Sequence, residues 1–170
     1  GAVSMGFAGV RLSTVRRKLP ADASGVGYGE LVKDDQKRID LPLGFSYQLI
    51  SQVGETMADG LIVPGAPDGM ATFSGPDGLT ILIRNHELNP DQALGPFGKK
   101  NRLFGNIDSS KVFDDGNTDT PGLGGTTTLV YDTLGKKLVR QFLSLAGTHR
   151  NCAGGPTPWG SWLTCEESVQ

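Results

Sequence analysis

The chain has 170 residues, with 16 lysines and arginines against 18 aspartates and glutamates, giving a net charge of −2. That balance offers no electrostatic footprint for nucleic acid, and no run approaches the roughly 18 apolar residues a membrane-spanning helix needs. With 25 glycines and 10 prolines in no repeat period, the composition favours many short strands joined by turns.

Residues 1–40 read as an N-terminal arm, mixed and Gly-rich, in which only Glu30 to Lys37 hints at a helical turn. Arg16-Arg17 invites comparison with a twin-arginine export signal. The apolar region that should follow is missing, because Leu19 to Gly29 holds Pro20, Asp22 and four Gly or Ser residues, so the pair reads as surface arginines. After Pro42, Phe45 to Val53 places Phe45, Tyr47, Leu49 and, after a slip, Val53 in alternation, the pattern of a half-buried strand. Met70 to Ser74 and Leu79 to Asn85 are joined by Gly75-Pro76-Asp77-Gly78, which is hairpin-turn chemistry. Asn89 to Leu123 has no periodicity and reads as an insertion, the kind of long loop that is functional or disordered. A second hairpin follows, Gly124 to Asp132 and Lys137 to Leu145, turned by Thr133 to Lys136. Trp159 to Cys165 is the last predicted strand, with Arg150 and Asn151 ahead of it in a loop. No amphipathic stretch is long enough for a packed helix.

The segment Gly147 to Glu167, GTHRNCAGGPTPWGSWLTCEE, has the composition of a site. It sets two thiols, two adjacent carboxylates and two tryptophans among glycines and prolines, which suits neither a solvent loop nor a packed strand. Cys152, Glu166 and Glu167 fit a cluster of hard cations with one thiolate-tolerant member. Calcium and magnesium bind sulfur poorly, so a cysteine in an oxygen-rich site points to a transition metal such as ferric iron beside them. The bland alternative is that Cys152 is a small buried hydrophobe. Cys152 and Cys165, thirteen residues apart, would also close a small disulfide loop in an oxidising compartment. Successive residues of a strand face opposite sides, so Glu166 and Glu167 address one centre only across a bulge. Asp68 sits where the strand beginning near Met70 opens, a place where ligands are commonly held, although Asp-Gly by itself is also an ordinary turn. Trp159 and Trp162 are expected to pack between propeller blades. ILIRNHEL and SWLTCEES resemble each other at a spacing of 80 residues, each a strand leading to a Glu, which suits equivalent strands of an all-β propeller lengthened by insertions. No GxSxG elbow, P-loop or HExxH helix occurs.

Five stretches in order, LPLGFSYQLISQV (Leu41 to Val53), VPGAPDGMATF (Val63 to Phe73), IRNHEL (Ile83 to Leu88), GGTTTLVYD (Gly124 to Asp132) and NCAGGPTPWGSWLTCEE (Asn151 to Glu167), resemble the PhoX family of secreted alkaline phosphatases. Ser161 stands where that pattern more usually has Thr. The resemblance implies a six-bladed β-propeller around a central channel, with residues 41–170 supplying the N-terminal part, roughly the first two blades. The remainder of the same protein, or another chain, would then complete the fold. It further implies export to the periplasm or beyond after signal-peptide cleavage, and a mixed site of calcium (Ca2+) and ferric iron (Fe3+). Cys152 and Glu167 would lie on iron, and Glu87, Glu166 and Asp68 among the other metal ligands, with His86 supporting Glu87. The implied chemistry is hydrolysis of phosphomonoesters by metal-activated oxygen attack, for which clustered cations stabilise charge gathering on the phosphoryl oxygens. Arg84 or Arg150 would fork onto phosphate or onto a ligating carboxylate, and Arg84 is the favoured catalytic candidate. Two other readings are a non-catalytic metal-binding propeller serving as a structural or protein-interaction scaffold, and a propeller lactonase or phytase, whose acid-rich channel sites lack the cysteine.

Overall fold

The computed structural model describes Val10–Leu12, residues 27–116 and residues 121–167. Arg16-Arg17 lie outside the described residues. The chain divides into two compact units, Gly1–Ile50 and Ser51–Gln170. The fold is all-β among the described residues, its only helical pieces being single 3-10 turns.

In the first unit β1 (Val10–Leu12) pairs with β4 (Phe45–Tyr47), and β2 (Leu31–Val32) with β3 (Leu41–Pro42). Of the strand expected from Phe45 to Val53, the structure shows Phe45–Tyr47, paired with Val10–Leu12. The helical turn expected over Glu30 to Lys37 is instead a strand followed by a turn built on Asp34. The Asp34 carboxylate accepts from the backbone N–H groups of Gln36, Arg38 and Ile39 and from the Tyr47 hydroxyl at 2.7 Å. Short polar side chains that bond nearby backbone in this way compete with helix. These bonds, the Tyr47 hydroxyl foremost, hold the Asp34 carboxyl down at about 2.

The second unit is built on a four-stranded antiparallel meander, in the order β5 (Pro67–Ser74), β6 (Leu79–His86), β7 (Gly124–Asp132) and β8 (Lys137–Thr148). Both predicted hairpins are present. In the first turn Asp77 and Gly78 take φ of 53° and 77°, the left-handed pair that a tight hairpin requires. A further hairpin, β9 (Asn151–Pro156) with β10 (Trp162–Glu166), forms its own two-stranded sheet beside β5.

One face of the meander is covered by residues 57–63 and by the segment between β6 and β7. Met57, Leu61, Val63, Leu88, Phe97, Leu123, Leu143 and Ala146 form the buried cluster, and Leu103, Phe104 and Ile107 pack onto it. The insertion of residues 89–123 is therefore partly core: Phe97 is fully buried and stacks edge-on against Phe104 with ring centres 4.9 Å apart. Its contacts follow no period because it crosses the sheet in 3-10 turns. The opposite face, with Asn85 and Thr126, turns toward the β9–β10 hairpin.

Candidate active site

Two hairpins of the second unit repeat one device. In the first, Ala66 adopts a left-handed φ of 47°, Pro67 pairs with His86, and Met70 pairs with Arg84, so Asp68 and Gly69 bulge opposite the single residue Asn85. Glu87 follows at the strand exit, its N–H donating to the Ala66 carbonyl at 2.9 Å. In the second, Arg150 adopts a φ of 50°, Asn151 pairs with Glu166, and Ala153 pairs with Cys165, so Cys152 is the extra, bulged residue. Glu167 follows at the exit, its N–H donating to the Arg150 carbonyl at 3.1 Å. Each last strand residue also ties back to the backbone two positions ahead of its partner strand. His86 donates from Nδ1 to the Gly65 carbonyl at 2.7 Å, and Glu166 Oε1 accepts the His149 N–H at 2.7 Å. Asp68 thus corresponds to Cys152, Glu87 to Glu167 and Ala66 to Arg150. Bulges re-aim side chains and recur beside active sites.

Asn85, fully buried, fastens the two hairpins together. Its Nδ2 donates to the Ala153 carbonyl at 3.0 Å, while Oδ1 accepts from Trp162 Nε1 and from Thr164 Oγ1, both at 2.9 Å. Asn151, also fully buried, donates from Nδ2 to Thr164 Oγ1 at 3.0 Å and accepts from Thr148 Oγ1 at 2.5 Å. Gly69 lies so near that a Cβ there would meet the Cys152 carbonyl oxygen at 2.7 Å. The close approach brings the two bulges side by side.

Around this junction the exit carboxylates meet one guanidinium. Arg150 Nη2 bonds Glu87 Oε1 at 2.8 Å and Glu167 Oε2 at 2.5 Å, and its Nε reaches Glu87 Oε1 at 3.3 Å. The Asp68 and Glu167 carboxyls lie beside that of Glu87. Arg150 foremost holds the Glu87 carboxyl below its ordinary range, partly opposed by desolvation. Reciprocally, the bond to Glu87 and the charge of Glu167 push the Arg150 guanidinium up, with a smaller contribution from Cys152. Two carboxylates therefore share one guanidinium, with Asp68 beside Glu87 and the Cys152 thiol near the same charge.

Of the residues picked out from the sequence, the structure brings together Asp68, Glu87, Glu167 and Cys152, and it does not bring Arg84 or Glu166 to them. Arg84 neighbours Asn85 on β6 and so faces the other side of the sheet. There it is buried, donating to Thr127 Oγ1 at 3.2 Å and Ser51 Oγ at 3.1 Å. Burial lowers its pKa. Thr127 Oγ1 also lies 2.9 Å from His86 Nε2, so hydrogen bonds run from Arg84 through Thr127 and His86 to the Gly65 carbonyl. Burial, with the nearby Arg84 charge, pulls the His86 pKa down to about 4, which leaves the ring neutral near pH 7. Glu166 clasps the backbone, as His86 does in the first hairpin. Both cysteines are free thiols, so the disulfide is not formed. Trp159, expected to pack between blades, is 80% exposed, whereas Trp162 donates from Nε1 to Asn85 Oδ1 in the neighbouring sheet.

Arg150 and Asn85 carry more of the site than the sequence signalled. A polar Asn closing an apolar strand, two residues before Glu87, is the one cue that a sheet-to-sheet fastener lies there. His149, between β8 and β9, has a buried Nδ1 with no partner. Among the described residues no three His, Cys, Asp or Glu side chains are arranged to hold a metal ion. A groove of about 590 Å3 lies elsewhere, in the first unit between Val32 and Leu49, and contains none of these residues.

The donor set still suits hard cations: it is oxygen-rich, negatively charged beyond its one guanidinium, and adjoins a single thiol. No helix of the described residues is long and apolar enough to cross a membrane. No curated protein and no solved structure matches the chain. The family described as alkaline phosphatase PhoX matches residues 26–170, which include both bulged hairpins and the acid cluster between them, and the chain belongs to that family.

Proposed function

We propose that this chain carries part of the active site of an exported, metal-dependent phosphomonoesterase, with Asp68, Glu87, Glu167 and Cys152 as its contribution of ligands. The observation that carries this reading is the convergence of two strand-exit glutamates and two bulge residues, from hairpins far apart in sequence, beside one guanidinium. Calcium and ferric ions bound there would supply Lewis acidity and concentrated positive charge for the phosphoryl group. The chain's own residues prepare for this. Glu87, held ionised by Arg150, is ready as an oxygen ligand throughout the neutral and alkaline range. Asn85 and the Gly69 contact fix the distance between the two hairpins. Cys152 offers the one soft donor. Arg150, on the same side as the acids, is better placed than Arg84 to meet an anionic substrate.

The architecture supports a propeller. A four-stranded antiparallel meander followed by a hairpin packed against its first strand is what one blade and the start of the next would look like, and the repeated bulge fits successive blades. In a six-bladed protein, later blades would add further carboxylates to the centre.

The test is p-nitrophenyl phosphate turnover by the intact protein, with and without a calcium chelator, alongside elemental analysis. Iron in the protein with chelator-sensitive turnover is expected. Calcium without turnover would leave a metal-binding scaffold, and turnover indifferent to chelation would remove the metal mechanism.

A further inference from the structure

We propose that Arg150 is a built-in competitor for the cation: its guanidinium holds carboxylate oxygens that an incoming metal would use, so metal loading is an exchange in which Glu87 and Glu167 pass from Arg150 to the ion. The inference rests on the metal-binding reading above. It starts from the repeated hairpins. Ala66 and Arg150 occupy the same seat, with the same left-handed backbone and the same carbonyl accepting the N–H of the exit glutamate. Alanine fills that seat in the first hairpin, so the seat itself asks nothing of the side chain. The long cationic side chain at position 150 is therefore an addition to the device.

What the addition does follows from its contacts. A single nitrogen, Nη2, bonds both Glu87 Oε1 and Glu167 Oε2. A cation bridging the two exit carboxylates needs oxygens from the same pair, and two positive charges cannot share them closely. The main chain of Arg150 is fixed independently, its N–H donating to the Leu88 carbonyl at 3.1 Å and its carbonyl accepting from Glu167. The side chain can thus leave while the loop stays. It is 39% exposed, and its partners Glu87 and Glu167 are 29% and 50% exposed, so release into solvent opens no core. Ion pairs this exposed are weak, which sets the size of the effect: Arg150 lowers cation affinity by about five- to tenfold and does not block the site. Its presence keeps three crowded carboxylates compatible with folding before metal arrives.

The test is calorimetric titration of calcium chloride into the metal-stripped intact protein, comparing wild type with Arg150→Ala and Arg150→Lys. Ala66 shows that alanine suits this backbone, and near-ultraviolet circular dichroism checks that each variant is folded. Arg150→Ala should bind calcium about five- to tenfold more tightly, and Arg150→Lys, with a single point charge and no fork, should fall between. The metal-free Ala variant should also melt below metal-free wild type, the difference closing at saturating calcium. Equal or weaker calcium binding by Arg150→Ala would overturn the proposal, since Arg150 would then be a support for the ligands. Wild type and variants that all fail to bind calcium would overturn the metal-binding reading as well, a result distinct from unequal roles for Arg150.

Discussion

The β5–β6 and β9–β10 hairpins share a plan and differ in how they are held. β6 lies between two strands, and Asn85 and His86 at its end are almost wholly buried. Among the described residues β10 pairs with β9 alone, and Leu163 and Cys165 are exposed. The same bulge is thus mounted once on a rigid sheet and once on a ribbon fastened mainly through Asn85, Trp162 and Thr164. A two-stranded ribbon is marginal alone, so the fidelity of the site depends on that fastening.

The largest test of this comparison is Asn85→Ala. It removes three hydrogen bonds between the hairpins and strands buried partners, so denaturation of the intact protein should show a loss of about 4 kcal/mol. A loss under about 1 kcal/mol would mean the ribbon is held by something else. Next, Leu129→Ala, at a position 1% exposed in the meander, should cost about 3 kcal/mol, while Leu163→Ala on β10, 62% exposed, should cost less than about 1. Equal costs would show that the outer side of the ribbon is covered in the intact protein.

Acid sharpens the contrast further. At equivalent positions the first hairpin uses His86 and the second Glu166 to clasp backbone, and only His86 is buried. Its folded pKa of about 4 lies below the ordinary 6.5, so the unfolded chain takes up the proton first. The stabilisation is complete above pH 6.5 and is lost as pH falls from there to about 4, roughly 3 kcal/mol in all. His86→Gln should flatten that slope in a pH series of melting temperatures; an unchanged slope would assign the acid sensitivity elsewhere. Below Asn85→Ala and His86→Gln comes Gly69→Ala, whose Cβ would press on the Cys152 carbonyl oxygen at 2.7 Å. It should cost about 2 kcal/mol and weaken calcium binding together, because it pushes the bulges apart. Lost stability with unchanged calcium affinity would uncouple that spacing from the site.

The two meander hairpins were legible because alternation and turn chemistry are local: Gly75 to Gly78 and Thr133 to Lys136 sit where the strands turn. The β9 strand was not, since Asn-Cys-Ala-Gly-Gly-Pro has little strand propensity and becomes a strand only by pairing with β10. Residues 89–123 read as an insertion, and nothing periodic announced that Phe97 would be core. Among site residues, the acid-and-thiol segment and Glu87 stood out through their motifs. The preference for Arg84 over Arg150 could not be judged from sequence, since alternation says that Arg84 and Asn85 face opposite ways but not which face meets the second hairpin.

Composition and short-range pattern by themselves determined an all-β chain, the turns of its two longest hairpins, and the family to which its motifs belong, because those follow from backbone preferences and from residues close in sequence. Only the tertiary structure decided that Glu87 and Glu167 meet at Arg150, that Asp68 and Cys152 are counterparts, and that Glu166 turns away. Those outcomes depend on how two separately formed sheets pack across Asn85 and Gly69, a matter of a few ångströms between segments some 80 residues apart.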